Sequence, residues 1–395
     1  MLTAVTKEGT EVSLLDEMFR RQAAKSAKQL TYYCPACGGR LVLKLGTKRI
    51  WHFAHAQQEA CNAHSEGESD YHLQGKQQLY HYFQQRGYTA LLEPYLHEIN
   101  QRPDILLEKK GRMAIEFQCS TVSRQLVIER TQSFQNEQIR PLWILGANRL
   151  KRLTTSLFRI SAFDWTFLTP QHHQPTLLYY CPHSHHLLTL SHIMPFSTQT
   201  TIAHFSIKSL TTNKPPVSHQ QITPIQKNWL KQKQKWRMHA GMFVSPLKHQ
   251  LASLLYEHGV YLCYVPAEIG IPLSSLYWIE TPAVMWQAWL WLVCLKPVSI
   301  GDVLHFDYVH QQFKNGLKNG LFRVRKLPMM QASHYSFALM EYLQALSQLG
   351  VLRRTGKKSF QKVKELEQLQ TLDEAFFQDK EVLALLSAKE NVTTF

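Results

Sequence analysis

Residues 102–120 read RPDILLEKKGRMAIEFQCS and predict two β-strands joined by a tight turn. Residues 109–111, Lys-Lys-Gly, can form a three-residue hairpin loop with the glycine in the left-handed position. Such a loop pairs residue 108 with residue 112 and therefore brings Asp104 opposite Glu116. Two carboxylates held together without a cation repel each other. The hairpin therefore predicts a bound divalent metal ion.

The second strand and its neighbours predict the sheet around this hairpin. Because alternate strand residues point the same way, Glu116 and Gln118 share one face, whereas Ile115 and Phe117 face the core. An amphipathic helix ending near Gly87 and the strand LLEPYL precede the hairpin; the helix SRQLVIERTQSFQ and the buried strand PLWILGA follow it. A strand–helix–strand return forms a right-handed parallel crossover. The predicted fold class is therefore α/β, with a mixed sheet and helices on its faces.

The charge balance of the chain limits its partners. Lysine and arginine exceed aspartate and glutamate by 15 over 395 residues. This excess favours a polyanion, either nucleic acid or an anionic membrane surface, although a basic protein kept in solution by its charge is the alternative. The apolar run 283–295 is too short to span a bilayer, and the N-terminal residues contain no secretory signal. Seven cysteines, two of them in a CxxC, predict a reducing cytoplasm rather than a disulfide framework.

Changes in composition divide the chain into four predicted regions. Residues 1–64 contain the CxxC and an HxxH and predict a zinc-ribbon-like domain, and residues 65–170 form the α/β domain. Residues 171–222 predict a hairpin and a linker, and residues 223–395 predict a mainly helical, basic domain. Three histidines and a cysteine lie at the predicted hairpin tip, where a second metal site is the less favoured interpretation: Cys181, His183, His185 and His186.

The first region contains two cysteines and two histidines with the spacing C-x2-C-x14-H-x2-H: Cys34, Cys37, His52 and His55. Two thiolates and two imidazoles suit a tetrahedral structural zinc ion, and the glycines of CPACGG allow the tight turn that such a site needs. The segment RLVLKLGTKRIWHF predicts a hairpin that returns the histidines to the cysteines. Cys61 and His64 are alternative ligands in place of a histidine. Free thiols and surface histidines are the other interpretation.

A second constellation surrounds the predicted hairpin. Glu68, His72 and Lys76 are spaced four residues apart, so they project from one face of the predicted helix. With Asp104 and Glu116, they resemble the PD-(D/E)xK nuclease core, in which Pro-Asp starts one strand and acid-x-Lys follows on the next. In such a site carboxylates hold Mg²⁺ or Mn²⁺, which polarises the scissile phosphate and lowers the pKa of a bound water.

Gln118 departs from this pattern because it occupies the place of the usual lysine and cannot carry a positive charge. Lys76 could supply the charge from the helix, with His72 helping to position water. The predicted metal ligands are Asp104 and Glu116, with Glu68 as a further candidate. The predicted catalytic residues are Glu68, His72, Lys76, Asp104, Glu116 and Gln118.

With these motifs in this order, the chain resembles the competence protein CoiA family. The resemblance rests on YCPACGG, RIWHFAH, the segment from Cys61 to Lys76 and RPDILLEKKGRMAIEFQCSTVS, which lie within residues 32–123. It implies a cytosolic protein of naturally transformable bacteria that helps incoming single-stranded DNA to recombine with the chromosome. It also implies a nuclease-like domain behind a zinc-binding segment. The implied partners are DNA, a RecA-type recombinase and other competence proteins.

The C-terminal region contains two clusters of cations. Residues 227–237 interleave lysines with Trp229 and Trp236, which suits single-stranded nucleic acid; a solvated helix whose tryptophans enter a core is the equally weighted alternative. Further on, an amphipathic helix closed by Gly350 precedes a basic hairpin, which is compatible with a winged-helix module or with a helical protein-binding domain. The predicted DNA-binding residues are Lys227, Lys231, Lys233, Lys235, Arg353, Arg354, Lys357 and Lys358.

These features predict one of two functions. The first is a DNA-processing protein that hydrolyses phosphodiesters with Mg²⁺ or Mn²⁺. The second is a non-catalytic DNA-binding mediator that keeps the nuclease fold as a platform and recruits a recombinase. Gln118 in the lysine place favours the second function. A transcription factor that uses the zinc segment is a weak third interpretation because no recognition helix accompanies the ligands.

Overall fold

The computed structural model describes residues 1–26, 30–47, 49–56, 61, 68–109, 111–171, 174–212, 217–218, 225–240, 253–330 and 334–390. His64, Lys110 and most of the predicted linker lie outside these residues. The chain forms two compact units: unit 1 comprises Met1–Leu150, Ala162–Thr189 and Ser206–Ser218, and unit 2 comprises Lys151–Ser161, Leu190–Phe205 and His219–Phe395. No helix in the described part of the chain is long and apolar enough to cross a membrane.

Unit 1 begins with a five-stranded antiparallel sheet in the order β2-β1-β3-β4-β5. Its elements are β1 (Thr3–Thr6), β2 (Glu11–Ser13), α1 (Glu17–Ser26), β3 (Tyr32–Tyr33), β4 (Arg40–Lys44) and β5 (His52–His55). The strands β4 and β5 form the predicted hairpin, with Leu41 opposite His55 and Lys44 opposite His52. Tyr32 and Phe53 are buried in the small core beneath it.

The next segment of unit 1 has the predicted order of helix, three-strand meander, helix and strand. Its elements are α2 (Asp70–Gln84), β6 (Thr89–Leu92), β7 (Ile105–Glu108), β8 (Arg112–Gln118), α3 (Arg124–Asn136) and β9 (Arg140–Gly146). The strands β6, β7 and β8 pair antiparallel, and β9 returns parallel to β8. Glu108 lies opposite Arg112, which confirms the predicted register of the hairpin. The mixed α/β fold predicted for this region is therefore confirmed.

The helix α2 lies against the core-facing side of β8. Ile115 and Phe117 are buried there together with Leu79 of α2 and Ile144 of β9, as the alternation of β8 predicts. Gly75 permits this approach, because a Cβ atom at that position would lie 2.0 Å from Cε1 of Phe117. The contact brings the polar side of α2 over the start of β7 and fixes the position of the candidate site.

The middle of the chain contributes strands to both units. They are β10 (Lys151–Arg152), β11 (Leu157–Arg159), β12 (Thr169–Gln171), β13 (Gln174–Cys181), β14 (His186–Pro195), β15 (Thr201–Ser209) and β16 (Val217–Ser218). In unit 1, β13 runs parallel to β9, β12 pairs with β13, and β16 pairs with the end of β15. In unit 2, β10 pairs with β11, and β11 pairs with the start of β15. Single turns of 3₁₀ helix occur at Ala147–Arg149 and Asp164–Phe167.

The C-terminal part of unit 2 is mainly helical, as predicted, with a small sheet in the order β17-β19-β18. Its elements are α4 (Ile225–His239), α5 (Ala283–Leu290), β17 (Val303–His305), α6 (Phe306–Lys318), α7 (Ser336–Gln348), β18 (Leu352–Arg354), β19 (Ser359–Lys362) and α8 (Leu372–Glu390). A π turn at Trp291–Leu295 extends α5, and 3₁₀ turns lie at Leu262–Tyr264 and Leu276–Trp278. From α5 to β19 the order of elements is helix, strand, two helices and hairpin, which is compatible with the predicted winged-helix module. The hairpin β18–β19, with residues 355–358 at its tip, is called the wing.

Candidate functional site

A group of sulfur and nitrogen ligands lies at one end of the N-terminal sheet. It consists of Cys34, Cys37, His55 and Cys61, whose ligand atoms all lie within 4.8 Å of one another. The Sγ atoms of Cys34 and Cys61 are 3.9 Å apart, and Sγ of Cys37 lies 3.3 Å from Nε2 of His55. Four ligands around zinc at ~2.3 Å would be separated by ~3.8 Å along each tetrahedral edge. These spacings fit one tetrahedral metal ion.

The composition of this group corrects one predicted ligand. His52 lies outside it, and its Nδ1 is 2.8 Å from the carbonyl oxygen of Ile50. The physical reason is strand alternation: His52 and His55 are three residues apart on β5, so they point to opposite faces. Cys61, which the sequence offered as an alternative ligand, takes the fourth position.

A buried lysine organises a second group of side chains in unit 1. Lys76 of α2 is fully buried, and its Nζ lies 2.6 Å from Oε1 of Glu93 and 3.0 Å from Oδ1 of Asp104. It also forms an ion pair with Glu68, to which the amino group of Met1 is paired as well. These three carboxylates raise the pKa of Lys76 well above its usual value, even though burial opposes its charge. The lysine expected from the helix therefore lies among the carboxylates.

The residues that could hold a metal ion here are Glu68, His72 and Asp104. Their ligand atoms lie within 4.8 Å of one another, and Nε2 of His72 is 3.2 Å from Oδ2 of Asp104. Glu68 precedes α2 rather than lying on it, because Ser69 caps the first turn by accepting a hydrogen bond from the backbone N–H of His72. Burial disfavours the Asp104 carboxylate, but Lys76 and His72 hold its pKa below the usual range. Carboxylate and imidazole donors are chemically suited to Mn²⁺, and carboxylates to Mg²⁺.

Glu116 lies close to this group but is not part of it, which corrects the predicted metal pair. Its Oε1 accepts a 2.6 Å hydrogen bond from Nη2 of Arg130 on α3. Burial raises the pKa of Glu116 to about 8, with Arg130 opposing the shift and the nearby Asp104 adding to it. Asp104 has other partners: besides Lys76 and His72, the backbone N–H of Phe117 donates to its Oδ2 at 2.8 Å. The two predicted acids are therefore neighbours with different partners.

Gln118 lies outside the cluster of carboxylates and Lys76. Its Nε2 donates to the carbonyl oxygen of Ser120 at 3.0 Å, and the side chain is at the surface. The strand position of the usual lysine thus provides no charge to the site. The only lysine in contact with Asp104 within the described residues is Lys76, from the helix.

Glu93 and Arg102 are the site residues that the sequence did not reveal. Glu93 follows β6 with φ = +50°, which is uncommon for a residue other than glycine, and it pairs with Arg102 as well as with Lys76. The backbone N–H groups of Leu2 and Thr3 also donate to it, at 3.0 Å. The only signal in the sequence was an acid before Pro94 at the end of an apolar strand.

The basic helix α4 has one exposed face and one buried face. Lys227, Lys231 and Lys235 are exposed and lie four residues apart, so they form one stripe. Lys233 is a correction to the predicted DNA-binding set, because it is buried and its Nζ lies 2.8 Å from Oδ1 of Asp379. Trp229 is also buried, and its Nε1 donates to the carbonyl oxygen of Gly270 at 2.8 Å. The core interpretation therefore holds for this tryptophan.

The wing formed by β18, β19 and their connection keeps its cations at the surface. Arg353, Arg354, Lys357 and Lys358 are all exposed. Lys358 pairs with Asp307 at 2.9 Å, and both side chains of this pair are largely in solvent. An exposed pair of this kind contributes little energy, so these four cations are accessible to an anionic partner.

Three family models match: the N-terminal domain of competence protein CoiA at residues 15–64, its nuclease-like domain at 68–221 and its C-terminal domain at 225–376. The chain is 32% identical over 353 residues to "Competence protein CoiA" of Bacillus subtilis (strain 168), covering 86% of this chain and 91% of that protein. This chain belongs to the competence protein CoiA family. No solved structure matches it.

The CoiA family models place the two candidate metal groups in separate domains. All four residues of the Cys–His group lie within the CoiA N-terminal domain, and residues 68–118 lie within the CoiA nuclease-like domain. The wing lies within the CoiA C-terminal domain.

Proposed function

We propose that this CoiA-family protein processes DNA in natural competence, acting on internalised single-stranded DNA to promote recombination through a metal-dependent nuclease-like core. The observation that carries the proposal is the position of Lys76 among the carboxylates. Its Nζ lies 3.0 Å from Oδ1 of Asp104 and pairs with Glu68, beside His72. This arrangement restores a lysine to a site whose strand position holds Gln118.

The residues of the site have distinct parts in this proposal. Glu68, His72 and Asp104 would hold Mg²⁺ or Mn²⁺, which polarises a phosphate and lowers the pKa of a water when bound. Lys76 places a fixed positive charge where the phosphate gains negative charge. Glu93 positions Lys76, since their atoms are 2.6 Å apart and both side chains are buried. Glu116, set against Arg130, would hold a proton near the site, since burial raises its pKa.

The Cys–His group has a structural part in the same proposal. Cys34, Cys37, His55 and Cys61 would hold a zinc ion with all four positions filled by protein. Such a closed site stabilises a small fold rather than providing chemistry. It would hold Cys61, which is buried beside Cys34, against the rest of a domain whose own core is small.

Two groups of exposed cations are the proposed DNA contacts. One is the wing, with Arg353, Arg354, Lys357 and Lys358, and the other is the stripe Lys227, Lys231 and Lys235 on α4. Lysine and arginine bind the phosphate backbone regardless of base sequence. A protein that acts on incoming DNA of any sequence needs this kind of binding.

A second candidate function is a non-catalytic mediator that binds DNA and recruits a RecA-type recombinase. Gln118 favours it, because its amide donates to Ser120 and takes no part in the acidic group, which consists of Glu68, Glu93 and Asp104 around Lys76 with His72 beside them. The pairing of Lys76 with three carboxylates favours it as well, since such a network stabilises the fold even without a part in catalysis.

The deciding experiment measures cleavage of labelled single-stranded and double-stranded DNA with Mn²⁺. Wild type is compared with Asp104→Ala, Glu116→Ala and a matched control, Glu108→Gln, whose half-exposed carboxylate lies on the same hairpin. Cutting that is lost in Asp104→Ala and kept in the control supports the enzyme. An absence of cutting by wild type, with DNA binding intact, supports the mediator.

A further inference from the structure

An open cavity of about 560 Å³ lies in unit 1, where the N-terminal sheet meets α2. Arg20 of α1, together with Arg49 and Trp51 from the connection between β4 and β5, lines one side of it. Asp70, Gln74 and Gln77 of α2 line the other side. A cavity of this size can hold a ligand of a few hundred cubic ångströms.

The polar groups of this cavity favour an anion. Asp70, its only acid among the described lining residues, is already engaged: Oδ1 accepts from the backbone N–H of Ile50 at 2.8 Å, and Oδ2 from Nε2 of Gln74 at 2.6 Å. Arg20 and Arg49 are exposed, and neither forms an ion pair with any described residue. Two guanidinium groups thus face the cavity without a carboxylate partner, a pattern suited to phosphate.

An aromatic ring lies beside one of these cations, Arg20. The guanidinium carbon of Arg20 is 4.9 Å from the ring centroid of Trp51, and the indole is only partly buried. Aromatic rings beside cations are the usual elements of single-strand recognition, because bases stack on rings while phosphates meet the charges. Gln77, on the α2 side of the cavity, adds an amide group that suits a base edge.

We infer that this cavity binds a nucleotide unit of a single DNA strand, with a base at Trp51 and phosphates at Arg20 and Arg49. The inference rests on the proposed function, because it assigns part of the path of the DNA strand. Residues advance by about 100° along a helix, so Asp70, Gln74 and Gln77 project from the side of α2 opposite His72 and Lys76. The cavity and the acidic site are therefore separated by roughly one helix diameter, about 10 Å.

The test measures the anisotropy of a labelled oligothymidylate bound to the full-length protein without added divalent metal. The double variant Arg20→Gln/Arg49→Gln should weaken binding by roughly 10-fold, and Trp51→Leu by a similar factor, since the base would lose its stacking partner. Trp51→Phe keeps a ring and should retain most of the affinity. The control Arg21→Gln/Lys25→Gln removes the same charge from exposed positions of α1 that do not line the cavity. Circular dichroism and zinc content verify that each variant is folded.

Each outcome decides the inference. Selective loss in the cavity variants supports it, whereas unchanged binding, or an equal loss in the control, overturns it. Competition by thymidine monophosphate at the same nucleotide concentration as the oligomer would show a site for free nucleotides and overturn the strand assignment. Failure of wild type to cut DNA, with selective loss of binding in the cavity variants, would refute the nuclease proposal and leave this inference standing.

Discussion

At the scale of single residues, Cys61 and His52 should differ in what they contribute to the proposed zinc site. Cys61→Ala removes one of the four atoms that lie within 4.8 Å of one another, so we expect the zinc content to fall well below that of wild type. His52→Ala removes a ring whose Nδ1 lies 2.8 Å from the Ile50 carbonyl, so the zinc content should not change. Metal analysis by mass spectrometry of the two purified variants provides the measurement. Equal zinc in both variants would contradict the ligand assignment.

Glu93 is expected to contribute strongly to the stability of the fold, although no sequence motif marks it. Glu93→Gln leaves Lys76 and Arg102 buried with one carboxylate fewer, which should lower the free energy of unfolding by about 3–5 kcal/mol. Glu98→Gln is the control, because its pair with Arg112 is exposed and should contribute under ~1 kcal/mol. Urea denaturation followed by circular dichroism compares the two variants. Equal midpoints would show that the buried network does not stabilise the fold.

The same carboxylate predicts how stability depends on pH. Burial raises the pKa of Glu93, but Lys76 and Arg102 outweigh it and lower the value from 4.5 to about 2. Because the folded pKa lies below the unfolded one, the stabilisation is complete above pH 4.5 and is lost as the pH falls towards 2. The difference in urea midpoint between wild type and Glu93→Gln should therefore shrink over this interval. A difference that stays constant down to the lower pH would refute the assignment of charge.

At the scale of elements, the distance between α2 and β8 is set by Gly75. In Gly75→Ala the new Cβ would lie 2.0 Å from the Phe117 ring, so either the helix or the ring must move. Overpacking should lower the free energy of unfolding by about 1–3 kcal/mol, which outweighs the ~1 kcal/mol that alanine gains over glycine in helix propensity. Gly356→Ala, whose added Cβ meets nothing closer than 3.7 Å, is the control.

Displacement of α2 should also move the side chains that it contributes to the site. His72 and Lys76 flank Gly75 on this helix. We therefore expect Gly75→Ala to reduce DNA cutting more than its thermal midpoint alone would explain. Full cutting activity in a stably folded variant would show that the site tolerates a shift of the helix.

The elements that the sequence predicts well are those fixed by local rules. The loop at Gly111 sets the register Glu108 to Arg112, and the alternation of β8 places Ile115 and Phe117 in the core. The site depends instead on contacts between residues far apart in sequence: Glu93 pairs with Lys76 and Arg102, and Arg102 donates to Thr3. No spacing along the chain encodes these partners. The same holds for Lys233, whose partner Asp379 is far away in sequence.

At the scale of the whole molecule, the acidic site lies in unit 1 and the basic wing in unit 2, so their effects on DNA should be separable. Replacing Arg353, Arg354, Lys357 and Lys358 with glutamine removes four exposed cations. For a single strand, each phosphate contact contributes ~0.7 to the slope of log affinity against log salt concentration. Loss of up to four contacts should therefore make this slope shallower by up to about 3. If the protein cuts DNA as proposed, the rate of cutting at saturating DNA should not change, because the proposed cutting residues belong to unit 1 and not to the wing.

The control for the wing variant removes the same charge from unit 1. Lys7, Arg21, Lys25 and Lys44 are exposed there and can be replaced together with glutamine. If the net charge of +15 alone attracts DNA, both variants should lose affinity and salt dependence equally. If the wing binds phosphates directly, only its own variant should show the shallower slope, since counterions are released only where cations meet the strand. Anisotropy titrations over a series of salt concentrations distinguish the two cases.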